Sequence, residues 1–314
     1  MSRVPIFARQ LLSNLRNNLT NMSKPMTDNA SLSATTQISP NHHPAKLSQY
    51  SGLEHLPAAT KLPSVVKSFN LKVQDGIDGT VPAFLHLPKD YQNQQNTAAI
   101  LLSGAGGGVV GPSSIYLSMA DKLASLQTGL PVLRMDYRCP ARNKYCVPDV
   151  LAAMDYLEAQ HKVSRFVLVG WSFGGAPVFT VGGQDARVVG CATVASQTAE
   201  TEGIRAVGRR GVPVLLLHGT GDRTLSPQCS ERLYEMYGSR GGKRKVHYFE
   251  GDDHALTKNS SEAEKMLCEF IADIAGLDVG GTESGLLSKS LVDDEEKVNK
   301  MKQGGDLRGA ESAE

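Results

Sequence analysis

The sequence predicts an α/β fold: one mostly parallel, twisted sheet with helices on both faces, in a single domain with flexible N- and C-terminal extensions. Three observations predict it. First, between about residues 61 and 277, β-type apolar runs alternate with helical patterns, as in chains built from βαβ units. Second, the run Phe166-Val167-Leu168-Val169-Gly170 passes directly into Trp171-Ser172-Phe173-Gly174-Gly175, a glycine-flanked serine where a strand turns sharply into a helix. Third, two later apolar runs end in loops that carry first an aspartate and then a histidine. A sheet of this kind gathers its functional loops at the carboxyl ends of the strands.

In chain order, Val65 to Gln74 and Thr80 to Leu87 read as antiparallel leading strands, with the period-2 pattern of half-buried segments. Ala98 to Leu102 is continuously apolar, as suits a strand covered on both faces. It runs into Ser103-Gly104-Ala105-Gly106-Gly107-Gly108. Pro131 to Met135 is a further strand and closes on Asp136, and Val212 to Leu217 and Lys245 to Phe249 are the last two. Helices are expected near Ile115 to Leu126, Pro148 to His161, Gly174 to Val181, Gln228 to Tyr237 and Ser261 to Ala275. No fixed-period repeat is visible.

The chemistry follows from what a serine needs. A neutral hydroxyl is a poor nucleophile until a base takes its proton and a carboxylate orients that base. The strand ending at Leu217 leads into His218-Gly219-Thr220-Gly221-Asp222, and the next strand leads into Gly251-Asp252-Asp253-His254. On these motifs, in the order Ser, Asp, His, the chain resembles the α/β-hydrolase superfamily over roughly Lys67 to Leu277. Within it the chain looks most like dienelactone-hydrolase-type and other small serine hydrolases with little or no lid. The resemblance implies Ser172 as nucleophile, His254 as general base and Asp222 as its orienting acid. It implies an oxyanion hole made by the Phe173 amide and an amide of the loop after Leu102. That second donor is assigned to Ala105, with Gly106 as the alternative, because Ser103-Gly104 stands where many relatives carry His-Gly.

Neighbouring residues have plainer readings. Trp171 alternates away from Ser172 and belongs to the core. His218 ends a buried strand and is structural, Asp252 and Asp253 shape the histidine loop, and Asp136 stabilises a turn, its alternative being a displaced triad acid. The glycine-rich loop lacks the Lys-Ser/Thr pair of a nucleotide site.

The 314 residues carry a net charge of +1, which argues against a nucleic-acid partner. The five cysteines, Cys139, Cys146, Cys191, Cys229 and Cys268, have neither a metal spacing nor an even disulfide set. No metal and no cofactor is expected. No apolar run is long enough to span a bilayer. Residues 1–60 are rich in Ser, Asn, Thr and Pro, and Val4, Phe7, Leu11, Leu12, Leu15 and Leu19 share one helical face. That stretch is either a mitochondrial presequence or a disordered extension, so the chain is placed in the cytoplasm or the mitochondrion. Residues 278–314 read as a charged, solvated tail.

The expected function is hydrolysis of a small or medium carboxylic ester or thioester through an acyl-enzyme. A peptidase, an acyltransferase and a non-catalytic scaffold of the same fold are the alternatives. The connection from Ala195 to Val212 is too short for a helical cap, so the site is expected to be open. Arg138, Arg142 and Lys144 on one loop and Arg205, Arg209 and Arg210 on another are read either as a rim that attracts an anionic substrate, with Arg138 and Arg205 as contacts, or as solvated basic loops. Oligomeric state is not legible here.

Overall fold

The computed structural model describes residues 45–93, 95–239 and 243–308. Its sheet has eight strands: β1 (Val65–Val73), β2 (Gly79–Leu87), β3 (Thr97–Leu102), β4 (Val132–Met135), β5 (Arg165–Trp171), β6 (Val188–Val194), β7 (Val214–Gly219) and β8 (Arg244–Phe249). Their order across the sheet is β1-β2-β4-β3-β5-β6-β7-β8. β1 and β2 pair antiparallel, as does β2 with β4, and every other pairing is parallel.

Alternation along β5 shows how the sheet feeds two cores. Val167, Val169 and Trp171 point into one apolar cluster, and Phe166 and Leu168 into the other, as the period-2 geometry of a strand requires. The second cluster is closed by α2 (Asn143–His161), α3 (Gly175–Gln184), α4 (Ile204–Arg209) and α5 (Gln228–Tyr237). On the first face lie α1 (Ile115–Ala124), α6 (Ser260–Ala275), α7 (Thr282–Ser288) and α8 (Asp294–Gln303). The five expected helices are all present. α2 begins five residues before Pro148 and takes that proline inside it, and α4, α7 and α8 were not expected.

Both expected domain boundaries, at 60 and 277, move outward. Tyr50, Leu53 and Leu56 are buried in the first cluster, and so are Leu287, Leu291, Val292 and Met301. Residues 278–308 are therefore part of the folded domain. Polar contacts fasten them as well. Lys122 lies 2.7 Å from Glu264 and donates to the Leu287 carbonyl at 3.1 Å. Lys297, also buried, donates to Ser260 Oγ at 2.7 Å. The composition of α8 is charged because most of it faces water, while Lys297 and Met301 face inward. The amphipathic stretch Val4 to Leu19 lies outside the described residues.

All five cysteines are free thiols. Cys191 and Cys268 are buried in the core as their strand and helix patterns predict. Among the described residues, no helix is long and apolar enough to cross a membrane.

Truncating a fully buried side chain of the C-terminal segment tests the new boundary. Met301→Ala is expected to cost about 2–5 kcal/mol in a urea melt, the usual range for a buried Met. A solvated tail would give a change within about 0.5 kcal/mol.

Candidate active site

Ser172 stands where β5 ends and a short 3-10 turn, Ser172–Gly174, leads into α3. Its φ is +52°, a left-handed conformation that costs a non-glycine residue roughly 1–3 kcal/mol and persists only where the surroundings enforce it. The surroundings here are backbone. A Cβ at Gly174 would lie 2.7 Å from the Ser103 carbonyl oxygen and 2.8 Å from that of Leu102. The turn is thus pressed against the end of β3, which brings the loop carrying Ala105 beside the serine. Tyr137 fixes that junction, its hydroxyl donating to the Ser103 carbonyl at 3.0 Å while its ring meets Phe173 edge-on at 6.1 Å.

Asp222 follows β7 and His254 follows β8, so both lie at the carboxyl edge of the sheet, as Ser172 does. His254 is fully buried and its Nδ1 is 2.7 Å from Asp222 Oδ2. Donating Nδ1–H to the carboxylate makes Nε2 the basic nitrogen of the ring. Asp222 Oδ1 accepts the backbone N–H groups of Thr224 and Leu225, each at 2.8 Å. Burial alone would raise the Asp222 carboxyl; hydrogen bonds from His218 and His254, the His254 charge and the Leu225 amide outweigh it and hold the group well below the usual carboxylate range.

The His-Gly-x-Gly-Asp spacing has a packing cause. Gly221 donates its N–H to the Asp252 carbonyl at 2.9 Å, and a Cβ at Gly219 would collide with that same carbonyl. The acid loop and the histidine loop therefore touch backbone to backbone, which brings the two side chains within hydrogen-bond reach. Asp252 and Asp253 hold the histidine loop in shape. Asp252 accepts the amides of Asp253, Lys258 and Asn259, and Asp253 accepts those of Ala255 and Thr257.

His218 is buried with Nδ1 2.7 Å from Ser230 Oγ and Nε2 3.1 Å from Asp222 Oδ2. It is structural in the sense expected, but it also braces the acid, a contact the sequence did not reveal. Trp171 packs in the core as expected, and in addition its Nε1–H donates to the His254 carbonyl at 3.0 Å. The signal for that role was present in the register: Trp171 ends the strand whose next residue is Ser172. Asp136, the alternative acid, is engaged elsewhere. Its carboxylate takes the amides of Gly108 and Tyr137, the Tyr50 hydroxyl and the Arg308 guanidinium.

The two arginines expected to contact substrate, Arg138 and Arg205, have other surroundings. Arg138 is buried and its guanidinium is committed to Asp149 and, at 2.8 and 2.9 Å, to Asp75, which holds it firmly charged. Arg205 lines a recess with Met236 and Tyr237. The Tyr237 hydroxyl donates to the Val212 carbonyl, just ahead of β7, so this recess lies at the amino edge of the sheet, opposite Ser172. Arg210 is likewise occupied, by the carbonyls of Gly182, Asp185, Ala186 and Val188. A groove of about 710 Å³ runs between β1 and α2, lined by Phe69, Leu71, Leu151 and Tyr156 among others; none of the candidate site residues lines it.

Solved structures share this fold. A dienelactone hydrolase from Anabaena variabilis superposes with a TM-score of 0.54 at 16% identity, over 66% of this chain and 98% of its own. An α/β serine hydrolase without a lid from Xanthomonas campestris gives 0.51 at 16%, over 67% and 94%. Est1E from Butyrivibrio proteoclasticus gives 0.52 at 17%, over 66% and 99%. This chain has the α/β-hydrolase fold. The pattern of the dienelactone hydrolase family matches residues 134–273, a span of this hydrolase fold that holds Ser172, Asp222 and His254. No curated protein matches the sequence.

Gly219→Ala is expected to force the acid and histidine loops apart, at about 1–3 kcal/mol. The proton NMR signal of His254 Nδ1–H should shift or vanish with it. An unchanged signal in a protein of wild-type stability would show that the backbone contact does not set the side-chain geometry.

Proposed function

We propose that this chain is a serine hydrolase that cleaves a small or medium carboxylic ester or thioester through an acyl-enzyme. The observation that carries the reading is the 2.7 Å Asp222–His254 pair at the carboxyl edge of a sheet on which the end of β5 holds Ser172 at φ +52°. The match to the dienelactone hydrolase family over these residues supports the same chemistry.

In this reading Ser172 Oγ attacks the carbonyl carbon and His254 Nε2 takes the hydroxyl proton. Asp222 keeps the imidazole in the required tautomer and stabilises the imidazolium that forms. The amides of Phe173 and Ala105 hold the developing oxyanion. The imidazolium then gives its proton to the departing alkoxide or thiolate. Water, deprotonated by the same nitrogen, attacks the acyl-enzyme and returns Ser172 to its starting state.

The preference for short or medium acyl groups rests on the β6–β7 connection. It contains one helix, the six-residue α4, which packs against α3 and α5 on the sheet face, and so offers little length for an acyl-binding cap. A chain left in water gains nothing from its methylenes, each worth about 0.8 kcal/mol only when buried.

Ser172→Ala is expected to abolish both ester turnover and labelling by a fluorophosphonate probe in a protein that still melts cooperatively, since it removes the attacking oxygen and little volume. Continued labelling would sink the assignment. Asp222→Asn is expected to slow kcat by about ten-thousandfold by presenting the wrong tautomer, far more than Asp136→Asn. Across esters of increasing acyl length, kcat/KM should level off early. A steady rise to palmitoyl length would argue for a buried acyl channel instead.

A further inference from the structure

The loop after β3 carries more backbone donors than its own carbonyls absorb. Five successive N–H groups are accounted for. Gly107 donates to the Gly104 carbonyl at 3.0 Å, and Gly108 to Asp136 Oδ1 at 2.9 Å. Val109 donates to Asp306 Oδ2 at 3.2 Å and to the Gly304 carbonyl at 3.1 Å. Val110 donates to Asp306 Oδ2 at 3.1 Å and Gly111 to Asp306 Oδ1 at 2.7 Å. Ser103 Oγ hydrogen-bonds to that same Oδ1. A row of converging amides is an anion cradle, and here a carboxylate of the same chain fills it from the inside.

Asp306 is delivered to the cradle by the segment that was expected to be a solvated tail. Its own N–H donates to the Met301 carbonyl at 2.9 Å as the chain leaves α8, and its side chain is fully buried. Among the described residues, that carboxylate accepts from the Ser103 hydroxyl and from the amides of Val109, Val110 and Gly111. The carboxylate thus acts on this loop rather than on the sheet or the helices.

The same loop is asked to supply an oxyanion donor. The donor assigned to it, Ala105, lies between the Ser103 anchor and the cradle. We propose that Asp306 is a positioning residue for catalysis, its carboxylate filling the cradle of Ser103, Val109, Val110 and Gly111 so that the intervening Ala105 amide is held at the oxyanion. This rests on the serine-hydrolase reading. Without the carboxylate, the Val110 and Gly111 amides and the Ser103 hydroxyl lose this acceptor, and Val109 keeps only the Gly304 carbonyl. The loop relaxes to find others, and a displacement of about 1 Å in a positioned group costs on the order of a hundredfold in rate.

The test uses the full-length chain with Asp306→Ala. Three results are expected together: kcat falls about 10- to 100-fold with KM within about threefold, as for a lost oxyanion donor; amide exchange at Val109, Val110 and Gly111 accelerates at least about tenfold while the β5 and β6 amides keep their protection; and formate, a free carboxylate small enough for the vacated cradle, restores part of kcat. Wild-type kcat in Asp306→Ala, unaltered exchange at those amides, or a loss of kcat that formate leaves untouched would each overturn the proposal. Should Asp306→Ala not melt cooperatively, Asp306→Asn decides. It keeps the volume but sets an NH2 against part of the cradle, so its kcat should again fall with KM held, and wild-type kcat would overturn the proposal. The two readings fail separately. An unlabelled, inactive wild type overturns the hydrolase reading and the catalytic half of this one, whereas unaltered exchange in Asp306→Ala overturns the clamp whatever the activity.

Discussion

A single buried carboxylate, Asp222, ties together the last two strand ends of the sheet. It accepts His254 and His218 on one oxygen and two amides of its own loop on the other. Four donors on one group make the charged form the stable one, and a charge so placed cannot move without leaving others unsatisfied. The depressed carboxyl links the site to folding. Its contribution to stability is present above the unfolded carboxylate range, near pH 4, and is lost as pH falls through the lower folded value. The group that orients the histidine is therefore also part of what keeps the loops folded.

The serine end of the site is set differently, by exclusion rather than attraction. Ser172 is held in a left-handed conformation because the turn beneath it is flattened onto the ends of β3 and β5, where the Ser103 and Leu102 carbonyls leave no space for a side chain at Gly174. Trp171 connects the two ends. It is anchored in the core by its strand position and reaches the His254 carbonyl with its indole N–H, so the strand that presents the serine also carries the histidine loop.

The fold and the Ser172, Asp222 and His254 positions were legible because each is announced locally. A buried parallel strand is an unbroken apolar run, and the glycines after it mark where backbone must approach backbone. What was not legible depends on partners far away in sequence. Arg138 looks like a rim cation until Asp75 and Asp149 are seen to surround it. The 278–308 segment looks solvated because a helix such as α8 buries Lys297 and Met301 and shows the rest of its polar face to water. Leu287, Leu291 and Val292 were the available signal, an apolar patch between two charged stretches. The glycine-rich loop was read for an oxyanion donor, and several of its amides meet carboxylates supplied by the chain itself, Asp136 and Asp306.

That last arrangement has a consequence for biosynthesis. The cradle amides and their carboxylate are separated by 195 to 203 residues. Polypeptides are made from the amino end at roughly 5–20 residues per second. The loop is thus synthesised roughly 10–40 s before the group that completes it. Until residue 306 has been made, the amides of Val109, Val110 and Gly111 lack the carboxylate they meet in the folded chain.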